Sequence, residues 1–393
     1  MQNASVAVES VVKKQSSPKV KPAFPFLDLK AQFDPIKDEI ISSVLKTLES
    51  QRFILGPEVE AFEAEIAAEV SSAAAIGCAS GSDALLLALM ALNVGPGDEV
   101  ITTPFTFVAT VGAIVRLRAK PVFVDISPET YNLDPELLKA AVTSRTRAII
   151  PVHLFGASAD MASILKSAEE TGLPVVEDAA QAIGSTYNGR PVGSIGTIGC
   201  FSFFPSKNLG GAGDGGMMTT NDTQLADRLR VLRTHGSRER YSYELVGMNS
   251  RLDAIQAAIL RVKLRYLDGW AEKRRRNAET YRALISESGL NKYVRVPVEP
   301  AYTRHVYNQF TIRVADRDAL RSHMSSRGIP TEVYYPSPLH LQPAFSYLGY
   351  RAGAFPESER ASQEVVSLPI YPELTAEMLR AVVQSVADFY RTA

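Results

Sequence analysis

The chain has few of the residues that disulfide frameworks and metal sites require. Its 393 residues include two cysteines, Cys78 and Cys200, which lie far apart, and five histidines without a paired spacing. These numbers exclude a disulfide-stapled fold and indicate no metal ligand set. Both thiols have apolar neighbours in the sequence. We therefore expect buried cysteines and a reducing, cytoplasmic environment.

Excess charge and long apolar runs are missing as well. The 42 basic and 43 acidic residues give a formal net charge of −1, so bulk charge indicates no nucleic-acid partner. No apolar run approaches the roughly 20 residues of a membrane span, and we expect no membrane partner. Residues 1–23 lack the apolar segment of a signal peptide, and we predict a flexible N-terminal extension there.

Strand-like and helix-like segments alternate through the first half of the chain. Helices are predicted near residues 34–50, 57–70, 82–92, 106–117, 135–142 and 160–171. Strands are predicted at residues 99–102, 121–125, 148–153, 175–178, 200–204 and 216–219. Alternation with short connections predicts an α/β fold with a mainly parallel sheet that helices cover on both faces.

The pattern changes after a long helical stretch over residues 252–286, with a break expected near Asp268 and Gly269. Beyond it we predict strands at residues 293–296, 309–314 and 331–335 and helices at 318–327 and 376–390. These segments are typical of a smaller α+β domain. The predicted units are therefore a large domain at residues 24–265 and a small C-terminal domain at residues 266–393.

One lysine stands where an apolar run meets a glycine-dense segment. Lys207 follows Phe201-Ser-Phe-Phe-Pro-Ser and precedes Asn-Leu-Gly-Gly-Ala-Gly-Asp-Gly-Gly. Burial lowers the pKa of a lysine, and the neutral amine can then form a Schiff base with an aldehyde. Enzymes that use pyridoxal 5′-phosphate (PLP) need such a lysine, an acid at the pyridine nitrogen and a phosphate cradle.

Candidates for the acid and the phosphate cradle are present. Asp178 ends the apolar strand Val175-Val-Glu-Asp, at the edge where ligands of parallel sheets bind, although it can equally cap the next turn. Gln181 follows and can reach a ring hydroxyl. Gly81 and Ser82 begin a predicted helix, whose amide groups can bind phosphate, and Ser202 offers another hydroxyl. An ordinary helix start explains Gly81 and Ser82 equally well.

Three further features remain ambiguous from the residues alone. Phe105 and Phe107 offer aromatic faces for ring stacking, although core packing is the default for either. The run from Gly211 to Gly216 matches a dinucleotide-binding pattern, but a strand is predicted where that motif needs a helix, and we reject this interpretation. Asn249 and Arg251 precede a long helix, where capping and solvent exposure are the simpler explanation.

The order and spacing of these segments together closely resemble the sugar aminotransferases of the DegT/DnrJ/EryC1/StrS family. The resemblance covers about residues 26–393. It implies fold-type I PLP-dependent transferase architecture, aspartate aminotransferase-like, with a mostly parallel seven-stranded sheet, on a homodimer with shared active sites. One departure is Ile183, which stands where many members have histidine, and we expect this position to tune the substrate side.

The resemblance also implies a role for each candidate residue. Lys207 matches the lysine that forms the Schiff base with PLP. Cofactor-binding positions are matched by Gly81, Ser82, Phe107, Asp178, Gln181, Ser202 and Asn249. Substrate-binding positions are matched by Arg251, Tyr335 and His340, and Asn249 and Arg251 match residues offered across the dimer interface.

The implied reaction moves an amino group from L-glutamate to a keto group of a nucleotide-linked sugar. Segments 235–241 and 339–345 are similar to members that act on 3-keto sugars, which favours that position over the 4-keto position. A PLP-dependent sugar dehydratase is an alternative, but family dehydratases replace the lysine with histidine. A non-catalytic regulatory protein on the same fold is another alternative, and the set Lys207, Asp178 and Ser202 argues against it.

Overall fold

The computed structural model describes residues 23–392. The predicted extension at residues 1–23 therefore lies outside the described residues, apart from Ala23, whose amide donates a hydrogen bond to the carbonyl of Gly328 (3.0 Å). In this part of the chain no helix has both the length and the apolar character needed to span a membrane.

Helices and strands alternate through the first part of the fold. The helices are α1 (Leu29–Phe33), α2 (Lys37–Ser50), α3 (Pro57–Glu69), α4 (Gly81–Ala91), α5 (Val108–Arg116), α6 (Leu138–Ala141), α7 (Met161–Thr171), α8 (Thr223–Leu232), α9 (Ala254–Leu264), α10 (Leu267–Glu287), α11 (Arg317–Ser326), α12 (Pro356–Glu364) and α13 (Ala376–Thr392). The strands are β1 (Ala74–Cys78), β2 (Glu99–Thr102), β3 (Lys120–Phe123), β4 (Thr146–Ile149), β5 (Val176–Asp178), β6 (Thr186–Tyr187), β7 (Arg190–Pro191), β8 (Ile198–Ser202), β9 (Gly216–Thr220), β10 (Ser237–Glu239), β11 (Ser242–Tyr243), β12 (Thr303–Arg304), β13 (Phe310–Arg313) and β14 (Val365–Leu368).

Seven of these strands form the large sheet, as expected. The order β3-β2-β4 continues into β5-β8-β9-β1 through isolated parallel bridges, Ile149 with Val175 and Val152 with Asp178. Strand β9 is antiparallel to both of its neighbours, and the other pairings are parallel. The strand predicted at residues 148–153 ends early, at Ile149, because Pro151 has no amide hydrogen to donate to the ladder.

Local sequence signals fix the helices that cover the sheet. The side chain of Ser80 accepts a hydrogen bond from the amide of Asp83 and so caps α4, one of the helices predicted from its apolar residues. Asp160 caps α7 in the same way, and Gly172 ends that helix in the left-handed conformation (φ 67°). The apolar residues of α4 are buried against the sheet together with Ile76, Val100 and Ala148.

The C-terminal part has an apolar core of its own. Helices α10, α11 and α13 pack on the antiparallel pair β13–β14, and Tyr281, Phe310 and Val382 are among the buried residues. Phe24, near the start of the described chain, also belongs to this core. The break in the long helix falls at Arg265 and Tyr266, and Gly269 lies inside α10 instead of ending a helix.

Two predicted strands of this part do not form. Residues 293–296 make one isolated bridge, at Arg295, because Tyr293 continues the preceding 3₁₀ turn with a helical backbone (φ −114°, ψ −29°). Residues 331–335 also make a single bridge, at Glu332. Pro330 and Pro336 flank this segment, and neither residue has an amide hydrogen to extend a ladder.

Candidate active site

A cavity of about 540 Å³ opens at the carboxyl edge of the parallel strands. This is where open parallel sheets bind ligands. The lining contains most of the residues selected from the sequence, namely Gly81, Ser82, Phe107, Asp178, Gln181, Ser202, Lys207 and Tyr335. The other lining residues are Ser80, Leu85, Thr106, Ala109, Val152, Ala180, Phe204, Ser206, Asp214, Gln309 and Tyr334.

Lys207 enters the cavity from the loop that follows β8. Its amide donates a hydrogen bond to the carbonyl of Phe204 (2.8 Å), which forms a tight turn directly before the lysine. Burial lowers the pKa of Lys207 to about 8, although the nearby charge of Asp178 acts in the opposite direction. A substantial fraction of this lysine is therefore a neutral amine at mildly basic pH, as a nucleophile requires.

Asp178 ends β5 and is buried beneath the cavity. Its carboxylate accepts hydrogen bonds from the hydroxyl of Thr110 (2.8 Å) and from the amide of Ala180 (3.3 Å). Burial raises the pKa of Asp178, and the bond from Thr110 opposes that effect. The carboxylate therefore lines the cavity and also holds the next turn through the amide of Ala180. No local sequence pattern marks Thr110, because its contact with Asp178 depends on α5 packing beside β5.

The register of strands β1, β9 and β8 places the start of α4 beside Ser202. Gly216 of β9 pairs with Cys78 on one side and with Ser202 on the other, which brings the end of β1 against the end of β8. A Cβ atom on Gly81 would lie 2.6 Å from the Cβ atom of Ser202. The cap of α4 is Ser80 instead of Ser82, so the hydroxyl of Ser82 is not used as the cap. Unpaired amides, hydroxyls and the absence of a side chain at Gly81 together form a cradle for an anion.

The two candidate aromatic residues have different positions. Phe105 is fully buried in the core, whereas Phe107 is 56% exposed and lines the cavity. Gln181 also lines the cavity. Its Oε1 accepts a hydrogen bond from the amide of Phe155 (2.7 Å), and its Nε2 donates to the hydroxyl of Tyr335 (3.1 Å). Because that hydroxyl accepts from Gln181, its own proton is free to be donated into the cavity.

The glycine-dense segment after Lys207 folds back against the residues that precede the lysine. A Cβ atom on Gly210 would lie 2.3 Å from the carbonyl oxygen of Pro205, so only glycine fits. The segment continues into strand β9 and not into a helix, which agrees with the rejection of a dinucleotide motif.

Four residues selected from the sequence lie outside the cavity of one chain. Asn249 is exposed, and the half-buried Arg251 has an Nε atom without a hydrogen-bond partner. His340 does not line the cavity of one chain, since its side chain is buried and its Nε2 lies 3.0 Å from Glu359 Oε1; its contact with the substrate stays a prediction. Ile183 is buried in the core and does not line the cavity, so any effect on the substrate side would be indirect.

Glu177 and His153 form a buried pair beside Asp178 that no local sequence pattern marks. Glu177 accepts hydrogen bonds from His153 Nε2 (2.9 Å) and from the amides of Gly193, Ile195 and Gly196 (2.6–2.8 Å). Burial raises the pKa of Glu177, but the bonds from His153 and from these amides outweigh it and lower the pKa overall. Glu177 belongs to β5, and His153 lies beside it because the amide of His153 donates to the carbonyl of Asp178 (3.0 Å).

The side chains present fit PLP. A lysine with a lowered pKa faces the same cavity as a buried carboxylate, the anion cradle lies at the start of α4, and Phe107 offers an aromatic face. These are the features of a PLP-dependent transferase.

Comparison with known proteins identifies a family within the PLP-dependent transferases. Residues 34–387 match the DegT/DnrJ/EryC1/StrS aminotransferase family. A protein of Geobacillus stearothermophilus named "Pleiotropic regulatory protein" is 53% identical over 93% of this chain and 98% of its own length. A UDP-N-acetyl-3-dehydro-alpha-D-glucosamine 3-aminotransferase of Acidithiobacillus ferrooxidans is 47% identical over 92% of this chain and 96% of its own.

A solved structure of DesV from S. venezuelae, in complex with a ketimine intermediate, has a similar fold. It superimposes with a TM-score of 0.91 at 44% identity, covering 94% of this chain and 99% of that one. The chain belongs to the DegT/DnrJ/EryC1/StrS aminotransferase family. It is a PLP-dependent sugar aminotransferase with the fold-type I architecture.

Proposed function

We propose that the enzyme transfers an amino group from L-glutamate to a keto group of a nucleotide-linked sugar, with a 3-keto group favoured over a 4-keto group. The observation that carries this proposal is the position of Lys207 and Asp178 on one cavity, with the pKa of the lysine lowered to about 8. The Acidithiobacillus relative, whose name specifies a 3-dehydro sugar and a 3-aminotransferase, supports the choice of position.

In this proposal each cavity residue has one task. Asp178 would hold the pyridine nitrogen of the cofactor protonated, and Gln181 would bind the ring hydroxyl. The amides at Gly81 and the hydroxyls of Ser82 and Ser202 would bind the phosphate.

The remaining residues act on the substrates and the ring face. Phe107 would cover one face of the cofactor ring, and Tyr335 would donate a hydrogen bond to the sugar. The bound cofactor supplies the electron sink that acidifies the carbon next to the transferred nitrogen. Lys207 Nζ would take the proton from that carbon of glutamate in the first half of the reaction, and it would deliver a proton to the former keto carbon of the sugar in the second half.

We also propose a homodimer in which Asn249 and Arg251 of each chain complete the cavity of the other. The cofactor phosphate, the sugar diphosphate and glutamate all carry negative charge. Among the described residues that line the cavity, Lys207 is the sole base, and Asp178 and Asp214 are acidic. Arg251 has an unpaired Nε atom, so a second chain can supply the missing positive charge.

Exposed apolar side chains support the same arrangement. Phe107, Val108 and Phe204, near the cavity, are each 46–56% exposed. On α2, Ile41, Leu45 and Leu48 are 40–52% exposed and recur at helical spacing. Apolar patches of this kind are typical of protein interfaces.

Mixing two inactive variants tests the shared site. Lys207→Ala and Arg251→Ala chains, unfolded and refolded together in equal amounts, form mixed dimers with one intact site each. Activity should return to about a quarter of the wild-type value, because half of the dimers are mixed and each has one good site of two. Recovery no greater than the sum of the separate variants contradicts the sharing of Arg251.

A substrate panel tests the reaction itself. The holoenzyme is incubated with L-glutamate and with UDP-, dTDP- or GDP-linked 3-keto and 4-keto sugars, and 2-oxoglutarate release is followed. We expect release with a 3-keto sugar and little with its 4-keto isomer. Release with 4-keto sugars alone contradicts the positional assignment, and release with other amino donors but not with glutamate contradicts the donor.

Two alternatives make different predictions in the same panel. A sugar dehydratase would consume the sugar without stoichiometric 2-oxoglutarate, and Lys207 argues against it. A regulatory protein, which the name of the Geobacillus relative suggests, would bind the cofactor and turn over none of the sugars. The lowered pKa of Lys207 at about 8 favours the enzyme.

The predicted division of the chain stays a proposal. We propose a large cofactor-binding domain at residues 24–265 and a small domain at residues 266–393, with the boundary between α9 and α10.

We also propose that the enzyme acts in the cytoplasm, since Cys78 and Cys200 are both free thiols.

A further inference from the structure

Helix α9 places a buried lysine against the segment that carries Lys207. Lys263 is 8% exposed, and its Nζ donates a hydrogen bond to the carbonyl oxygen of Gly210 (2.5 Å). Among residues 23–392 no carboxylate forms a salt bridge with it. Burial lowers the pKa of this amine to about 8. An amine in such surroundings costs folding free energy, so packing alone does not account for it.

A second side chain of the same helix holds the same segment. Gln256 Oε1 accepts a hydrogen bond from the amide of Ala212 (2.9 Å). Gln256 and Lys263 are seven residues apart, which places them two turns apart on one face of α9. One bond reaches a carbonyl and the other an amide, so the two bonds fix both the position and the direction of residues 210–212.

Helix α9 is held in place by contacts with helices α2 and α3 and with Phe53. Arg261 forms salt bridges with Glu58 and Glu65 of α3 (2.7 Å each). The amide of Ala254 donates to the carbonyl of Phe53 (3.0 Å), and Ser43 of α2 donates to the carbonyl of Ala258 (3.3 Å). The helix therefore offers the Lys207 segment a fixed support.

The start of the segment has its own attachments: Asn208 Nδ2 donates to the carbonyl of Val306 (3.1 Å), Asn208 Oδ1 accepts from Asn308 Nδ2 (3.0 Å), and Leu209 is fully buried. Lys263 and Gln256 therefore hold the later part, residues 210–212, where backbone bonds are few. The amide of Gly211 donates to the carbonyl of Phe203 (2.8 Å), and the Lys207 amide donates to Phe204. We propose that Lys263 and Gln256 are positioning residues, which hold residues 210–212 so that the amine of Lys207 stays inside the cavity. The proposal rests on the role given to Lys207 above.

The test removes one bond at a time and reads the segment directly. Lys263→Met keeps the length of the side chain without a donor, Lys263→Gln restores a donor, and Gln256→Leu removes the acceptor. Lys166→Met, at an exposed lysine of α7, is the control. Amide hydrogen exchange at residues 208–213 is measured on the cofactor-free protein and on the holoenzyme. The pH profile of Lys207 acylation, read by mass spectrometry on cofactor-free protein, gives the pKa of that amine.

We expect Lys263→Met and Gln256→Leu to speed exchange at residues 208–213 by about tenfold, the effect of losing one hydrogen bond. The pKa of Lys207 should move from about 8 toward its ordinary value, because a looser segment admits water. Lys263→Gln should reverse both changes in part. The melting temperature of Lys263→Met should stay the same or rise, since a buried ammonium is removed.

A purely structural role gives the opposite pattern. Unchanged exchange at residues 208–213 and an unchanged Lys207 profile in Lys263→Met, with or without a lower melting temperature, overturn the proposal. Should Lys263→Met fail to fold, Gln256→Leu gives the same two measurements. Neither readout requires turnover. If Lys207 proves not to bind the cofactor, the proposed function fails. The exchange measurement would still show whether Lys263 and Gln256 hold the segment after Lys207.

Discussion

Replacing Lys207 with methionine should stabilise the cofactor-free protein. The gain should be full below pH 8, should shrink between pH 8 and pH 10.5, and should vanish above that range. Burial lowers the pKa of Lys207 from 10.5 to about 8 in the folded state. Below pH 8 the lysine is protonated in both states, so the folded protein bears the full cost of an ammonium in a poorly solvated site. Above pH 10.5 the lysine is neutral in both states, and that cost is gone.

The size of the effect follows from the shift in pKa. A shift of this size corresponds to roughly 3 kcal/mol. Lys207 is partly exposed, and solvent screening reduces the expected value to about 1–2 kcal/mol. Between pH 8 and 10.5 the unfolded state binds more protons, so the wild-type protein gains stability with rising pH relative to the variant.

Urea denaturation of both cofactor-free proteins between about pH 6 and pH 10.5 measures this difference. Comparing the two proteins cancels the titration of Lys263, which is common to both. Lys166→Met serves as the control for losing an exposed lysine and should show no such trend. A Lys207→Met variant that is equally stable at every pH, or less stable below pH 8, refutes the reasoning.

Three further predictions concern the surroundings of Lys207. Thr110→Val should weaken PLP binding by about tenfold, because Asp178 loses a hydrogen bond to its charged form; equilibrium dialysis measures this, and Thr110→Ser should restore binding. Gly81→Ala should weaken PLP binding while leaving the circular dichroism spectrum unchanged, since its Cβ atom would lie 2.6 Å from that of Ser202; unchanged affinity contradicts the phosphate cradle. Glu177→Gln should lower stability by about 3 kcal/mol, because several donors lose a charged acceptor; an unchanged denaturation midpoint contradicts this.

The sequence predicted the large sheet well because its strands have strong local signals. Alternating apolar strands and helices indicated a mainly parallel sheet, and five of the seven strands were predicted to within two residues at each end. The first strand, β1, was not predicted, since Ala74–Cys78 is rich in small residues and has no pronounced β pattern. Two strands of the C-terminal part were predicted and did not form, because prolines nearby and a preceding turn control the backbone there.

The cavity was predictable where a residue ends a strand or begins a helix. Asp178 ends β5 and Gly81 begins α4, and Lys207 follows β8 in the next loop; the strands bring these positions to one edge of the sheet. Thr110, Glu177 and Lys263 depend on contacts between elements far apart in the chain, so no local pattern marked them. The burial of His340 was not predictable for the same reason, since it results from packing against Phe355 and Glu359.

The most direct test of the central claim is to locate the cofactor on the chain. The purified protein, loaded with PLP, is reduced with borohydride, digested and examined by mass spectrometry. The cofactor mass should appear on the peptide that contains Lys207, and Lys207→Ala should be colourless and inactive. A reduced cofactor on another lysine, or a Lys207→Ala variant that still transaminates normally, contradicts the account.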